Sequence, residues 1–231
     1  IKNILTPLHM DRSFCDFIRP SLDENAATLY KKTDNTMIGH RNYHDNALVL
    51  NGSGAMKSTL NDLKKYLHMY LNLGRTADGS RILSQYRVRE MCKPRQPYNG
   101  NGAYGYGLSM KQMDDLIIIE HGGSLPGVSS HIAWSYEADA GVIVLCNTSG
   151  VPVGLISDGL MKVYNGKSPL EKRDTWQETP WSEETRNAAA GTYLSGEGVT
   201  VKLYLKEDGS VGLTENGTEN PLITVNPCAA L

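Results

Sequence analysis

The chain of 231 residues has no Cys-x-x-Cys pair, no apolar run of membrane-spanning length and no block of like charge. Its four cysteines, Cys15, Cys92, Cys146 and Cys228, lie far apart, which argues against a disulfide scaffold and against a thiolate zinc site. The longest apolar runs, residues 116–119 and 142–146, are far too short to cross a bilayer, so no membrane span is expected. Lysine and arginine number 23 against 25 acidic residues, evenly spread, a net charge of -2 that offers nothing to follow a phosphate backbone. Nucleic acid is excluded as an expected partner. No basic stretch followed by an apolar core opens the chain; it starts at Ile1 in mid-pattern, which leaves room for a leader, an anchor or an upstream segment removed with it.

What is present begins irregularly. Pro7, Pro20, Asn25, Asp34, Asn35 and Gly39 break any long period across residues 1–51, and a loop-rich stretch of that length usually wraps a surface or serves a function. It holds the one local group of metal-like side chains, His40, His44 and Asp45. No third ligand has an evident place, so these read as solvated loop residues, with no metal and no other cofactor expected.

From Ser58 the pattern turns helical. Thr59 stands three residues before Asp62, and Leu60, Leu63, Leu67, Tyr70 and Leu71 recur at helical spacing until Gly74 supplies a stop. A shorter helix is expected from Ser84 to Cys92, ended by Pro94. The runs 108–113 and 116–120 across Asp114-Asp115, then 129–136 and 141–147 across residues 137–140, predict a four-strand antiparallel meander. The runs 116–119 and 141–146 are apolar at every position, which predicts inner strands covered on both faces. One cover is the helix begun by Pro152, with Val153, Ile156, Leu160, Met161 and Tyr164 on a common side. Residues 167–190 read as a linker. Alternation of Val199, Val201, Leu203 and Leu205 with polar neighbours, and turns at Asp208-Gly209 and Asn216-Gly217, predict a small β meander beyond it.

The most informative residues are Glu120-His121-Gly122-Gly123-Ser124-Leu125-Pro126-Gly127. A histidine followed by two glycines at the end of a buried strand leaves backbone amides bare beside a titratable ring, the arrangement with which acyl-transfer enzymes line an oxyanion site. Taken alone, the same residues also describe a strand-end histidine satisfied by backbone. Tyr104 and Tyr106 are read as packing under the sheet.

Taken in order, Pro7-Leu8-His9-Met10, Gly54-Ala55-Met56-Lys57-Ser58-Thr59 with Asp62-Leu63, Gly105-Tyr106-Gly107-Leu108, and His121-Gly122-Gly123-Ser124-Leu125-Pro126-Gly127 resemble the C-terminal half of the serine beta-lactamase-like family, which includes class C beta-lactamases, DD-peptidases, D-aminopeptidases and esterases. The resemblance covers residues 1–166. It implies that His121 takes the Lys-or-His place of the family's third motif, Gly122 the small residue, Gly123 the glycine, and Ser124 the residue whose amide joins the oxyanion hole. His121 and Ser124 are then the catalytic candidates, Gly122 and Gly123 the substrate-binding ones. The imidazole could be a neutral hydrogen-bond partner or a cation meeting a substrate carboxylate.

The family's Ser-x-x-Lys occurs nowhere in these residues, and the only Tyr-x-Asn, Tyr70-Leu71-Asn72, falls inside the amphipathic helix, where Tyr70 reads as core. Both motifs would precede Pro7, so the resemblance implies a missing N-terminal segment of the same protein. The expected fold is α+β of the α/β sandwich type: an antiparallel sheet flanked by helices, incomplete at its N-terminal side, with residues 1–166 the C-terminal portion of a hydrolase domain, 167–190 a linker and 191–231 a small, truncated all-β appendage. The expected activity is hydrolysis of an amide, beta-lactam or ester through an acyl-enzyme, in a piece inactive alone. The expected ligand is a small-molecule or peptidoglycan-derived substrate, in an extracytoplasmic or cell-envelope, bacterial setting. Two other readings stay open: a non-catalytic peptidoglycan- or peptide-binding module, and an unrelated β-rich interaction domain.

Overall fold

A computed structural model describes residues 1–16, 18–34, 36–43, 51–98, 102–170, 179–194, 198–220, 222, 224–226 and 229–230. Along the chain these form α1 (Ile18–Leu22), β1 (Leu29–Thr33), β2 (Thr36–His40), α2 (Asn51–Gly54), α3 (Leu60–Leu71), α4 (Gln85–Met91), β3 (Gln96–Tyr98), β4 (Gly102–Tyr104), β5 (Ser109–Met113), β6 (Leu116–Leu125), β7 (Val128–Ser135), β8 (Ala140–Cys146), α5 (Val153–Tyr164), α6 (Glu183–Ala189), β9 (Gly191–Leu194), β10 (Thr200–Leu205), β11 (Val211–Glu215), β12 (Thr218–Asn220), β13 (Thr224–Asn226) and β14 (Ala229–Ala230). The chain divides into two compact units, Ile1–Glu171 and Lys172–Leu231.

The first unit is built on an antiparallel sheet in the order β3-β4-β5-β6-β7-β8. It is mixed α/β with antiparallel sheets and flanking helices, as the sequence indicates. The meander is six strands rather than four, because the short strands β3 and β4 precede the four expected from the sequence. β6 is also longer than its apolar run: the two glycines lie within the strand, paired as Gly122↔His131 and Gly123↔Ser130, so His121 is not at its end. The turn comes at Pro126-Gly127, where Gly127 has φ +85°, the left-handed geometry that proline followed by glycine adopts in a type II turn.

On one face Ile119 and Trp134 pack with Met10, Leu67, Tyr70 and Val88 of the first segment, α3 and α4. Tyr70 stacks on fully buried Trp134 at 4.8 Å between centroids, and the Tyr136 hydroxyl donates to the Tyr70 carbonyl at 3.0 Å. Tyr70 is therefore core, as its helical spacing implied. α3 starts where expected, with Thr59 Oγ1 accepting from Asp62 N–H. The Asp62 carboxylate in turn accepts from Arg12 N–H and Ser13 Oγ, both at 2.9 Å. Burial alone would raise its pKa, but these bonds together with Lys65 hold it below the usual carboxylate value. The opening segment is thereby tied to α3.

The other face carries Met113, Ile118 and Ala133 under Met161 of α5. Here two expectations are corrected. Residues 141–146 form β8, which among the described residues pairs only with β7, and Leu145 is 44% exposed; it is an edge strand, not an inner one. And α5 is rotated from its expected facing: it buries Val153, Ser157, Asp158, Met161 and Lys162 while Leu155, Ile156, Leu160, Val163 and Tyr164 are exposed. The reason is an ion pair between Asp158 and Lys111 of β5, which turns a polar stripe of the helix toward the sheet.

The second unit holds α6 and an antiparallel sheet in the order β12-β11-β10-β9. Ser182 caps α6 by accepting from Thr185 N–H, and the Tyr193 hydroxyl donates to the Ala189 carbonyl. Among the described residues every buried core hydrophobe belongs to the first unit.

Candidate active site

β6 and β5 are paired only from Ser109↔Glu120 to Met113↔Leu116, whereas β6 and β7 remain paired to Leu125↔Val128. From His121 onward β6 is thus held on one flank only, and half of its backbone amides and carbonyls face open space. His121, Gly122, Gly123 and Ser124 are all exposed there. They line one cavity of about 550 Å³ together with Tyr104, Ser109, Ser129, Ser130, Gly150, Val151 and Val153. All four residues singled out from the sequence are therefore brought together.

Their neighbours are polar. Tyr104 Oη lies 3.0 Å from His121 Nε2, with the rings edge to face at 6.2 Å. Ser130 Oγ donates to the Gly123 carbonyl at 3.4 Å and Ser124 Oγ to the Val128 carbonyl at 3.3 Å. Tyr104, read from the sequence as packing, is a wall of this cavity, and Tyr106 lies against the Arg95 guanidinium, 4.4 Å from its ring centre. Neither packs under the sheet. The signal for Tyr104 is its place two strands from His121 beyond the start of β5, which needs the register to be seen.

Behind the glycines sits a buried charge cluster the sequence did not disclose. On the α5 side of the sheet, Lys111 Nζ bridges Glu120 at 2.6 Å and Asp158 at 2.8 Å, and His131 Nε2 is 3.6 Å from Glu120 Oε2. His131 is 8% exposed, and its Nδ1 has no hydrogen-bond partner among the described residues. Its ring lies between two glycines: a Cβ on Gly122 would come within 3.2 Å of it, and one on Gly154 within 3.7 Å. Burial lowers its pKa against the pull of Glu120, so the cluster carries a neutral imidazole near pH 7.

A second cavity of about 770 Å³ is bounded by Leu125, Val128, Ser130 and Leu145 of the sheet and by Phe14, Met56 and Lys57. It shares Ser129 and Ser130 with the first. His40 of β2 lines it, while His44 and Asp45 lie outside the described residues. No group of three metal-binding side chains is found among the described residues, and none of the described helices is long and apolar enough to cross a membrane.

The site is thus a His-Gly-Gly edge of an antiparallel sheet flanked by helices, opening into a cavity. The chain belongs to the Beta-lactamase family, whose model matches residues 2–165. Its fold is similar to that of the octameric penicillin-binding protein homologue from Pyrococcus abyssi, at TM-score 0.64 and 24% identity over 96% of this chain and 49% of that one. It is similar also to a penicillin binding protein from Bacillus halodurans (TM-score 0.52, 21% identity, 64% and 44% covered) and to a D-stereospecific amidohydrolase from Streptomyces sp. (0.51, 22%, 64% and 42%). The chain spans about half the length of these proteins or less. No curated protein sequence matches it significantly.

Proposed function

We propose that the chain is the C-terminal portion of a serine hydrolase domain of the penicillin-binding type, acting on an amide, beta-lactam or ester through an acyl-enzyme. The observation that carries this is the His121–Ser124 edge opening into a cavity that Tyr104, Ser109, Ser129 and Ser130 also line, in a chain of the Beta-lactamase family. In this reading a serine from the rest of the domain attacks the carbonyl. An upstream lysine or tyrosine takes its proton, and the Ser124 N–H helps hold the tetrahedral oxyanion. His121 lies beside that oxygen, and Gly122 and Gly123 let substrate approach the backbone.

Three features of the first unit support a two-part domain. They are the single-sided pairing of β8, the exposed apolar stripe of α5, and the larger cavity adjoining the site. The wall bearing the nucleophile would occupy that cavity, next to Ser129 and Ser130, which face both spaces. The substrate would be a small molecule or a peptidoglycan-derived peptide.

A fluorescent penicillin and a fluorophosphonate should leave the 231-residue chain unlabelled, because without a nucleophile acylation is abolished rather than weakened. Co-expression with the polypeptide encoded just upstream should restore labelling. Stoichiometric labelling of this chain alone would refute the two-part account. Ligand affinity without turnover in the joined protein would replace the hydrolase with the binding-module reading.

A further inference from the structure

Tyr104 reaches His121 across a gap the sheet leaves for it. Tyr104 pairs with Ser109, and Ser109 with Glu120, where the pairing of β5 with β6 stops. No residue of β5 pairs beside His121, and the Tyr104 hydroxyl arrives there instead, 3.0 Å from Nε2. Its backbone is well held. A Cβ on Gly105 would stand 2.3 Å from the Met91 carbonyl oxygen, so the chain after Tyr104 runs hard against the end of α4, where Tyr106 N–H donates to that carbonyl at 3.1 Å. Gly105 N–H also closes a turn onto the Leu108 carbonyl at 2.8 Å.

We infer that Tyr104 is a positioning residue that fixes the tautomer of His121: its hydroxyl donates to Nε2, which places the ring proton on Nδ1 and leaves that N–H to donate to a substrate oxygen. Two arrangements could satisfy a 3.0 Å contact. Either the phenol donates to a bare Nε2, or an Nε2–H donates to the phenol oxygen. A phenol hydroxyl is a stronger acid than an imidazole N–H, and an imidazole nitrogen a stronger base than a phenol oxygen. The first arrangement therefore matches the better donor to the better acceptor.

Its consequence is chemical. A neutral His121 held this way needs no added proton to donate to a carbonyl or carboxylate oxygen. No proton is consumed; the one on Nδ1 is the imidazole's own and the one on Oη stays with the phenol. The inference deepens the proposed hydrolase reading and rests on it for the identity of the oxygen, not for the tautomer.

The test uses the nitrogen-15-labelled 231-residue chain and two-bond proton–nitrogen correlation spectra near about pH 8, where imidazole is neutral. The His121 signals are assigned by their loss in His121→Gln. In the wild-type chain His121 should carry its proton on Nδ1. Tyr104→Phe keeps a ring against the imidazole but removes the hydroxyl, and it should move the tautomer ratio about tenfold toward Nε2–H, the worth of one hydrogen bond. A wild-type His121 protonated on Nε2 would overturn the inference, as would a ratio unchanged in Tyr104→Phe. A joined domain that fails to label with fluorophosphonate while His121 keeps its Nδ1 proton would sink the hydrolase reading and leave this one standing.

Discussion

His131 is a base placed where taking up a proton is opposed. Its ring is buried between Gly122 and Gly154, and the groups that face it are Glu120, Lys111, Asp158 and, from the other side of the sheet, His121. Burial is the largest influence and lowers its pKa from 6.5. As the pH falls below 6.5, the unfolded chain takes up a proton that the folded one still refuses. Stability is therefore full above that value, declines through the window beneath it and levels off below the folded value. Urea unfolding at about pH 7.5 and about pH 5.5 should show the loss, and His131→Gln should flatten it. An equal slope in the variant would place the acid sensitivity elsewhere. Asp62 acts at lower pH: its contribution is lost as the pH falls from the ordinary carboxylate value of 3.8 through its own depressed one. His121 could be picked out from the sequence because two glycines follow it. His131 could not, because a histidine among Ser129, Ser130 and Ile132 acquires its meaning only from the pairing with Gly122 and from the facing of α5.

At the scale of elements, Lys111 is the tie between β5, β6 and α5. Its amine stands between two carboxylates, with the side chains of Lys111 and Glu120 each 15% exposed and that of Asp158 9%. Removing the cation leaves two buried negative charges facing each other, so Lys111→Met should destabilise the first unit by about 3–5 kcal/mol. Adding Glu120→Gln and Asp158→Asn should recover much of that, since polar amides without charge lack the repulsion. Equilibrium unfolding of the wild type, the single and the triple variant measures both effects, and a triple variant no more stable than the single one would show that the cluster is held by packing rather than by charge. The same tie explains which elements were readable. α3 was legible because its apolar stripe and its Thr59 cap agree. α5 was legible as a helix but not in its facing, because hydrophobic periodicity assumes that the apolar side turns inward, and here Ser157, Asp158 and Lys162 are buried in its place. β3 and β4 escaped because three-residue strands of glycine, alanine, tyrosine and proline carry no alternation to detect.

At the scale of the molecule, the first unit exposes two surfaces that folded proteins normally cover. β8 is paired on one side only among the described residues and carries Val142, Ile143, Val144 and Leu145, with no charged side chain between Gly141 and Cys146 to discourage a second strand. α5 adds an exposed apolar stripe in which Leu155 is 67% and Tyr164 65% exposed, a patch of the kind that marks an interaction surface or an aggregation hazard. The 231-residue chain alone should therefore associate as its concentration rises, seen as a rising weight-average sedimentation coefficient. Leu145→Lys places a charge on the open edge, where leucine is already 44% exposed, and should hold the chain monomeric without loss of fold. In the two-part domain proposed above, co-expression with an upstream segment should suppress association in the wild-type chain as well, because the same surfaces would then be covered from within the domain. A wild-type chain that stays monomeric at all concentrations would mean that β8 and α5 need no partner, and the case for a second wall beside the His121 edge would fall with it.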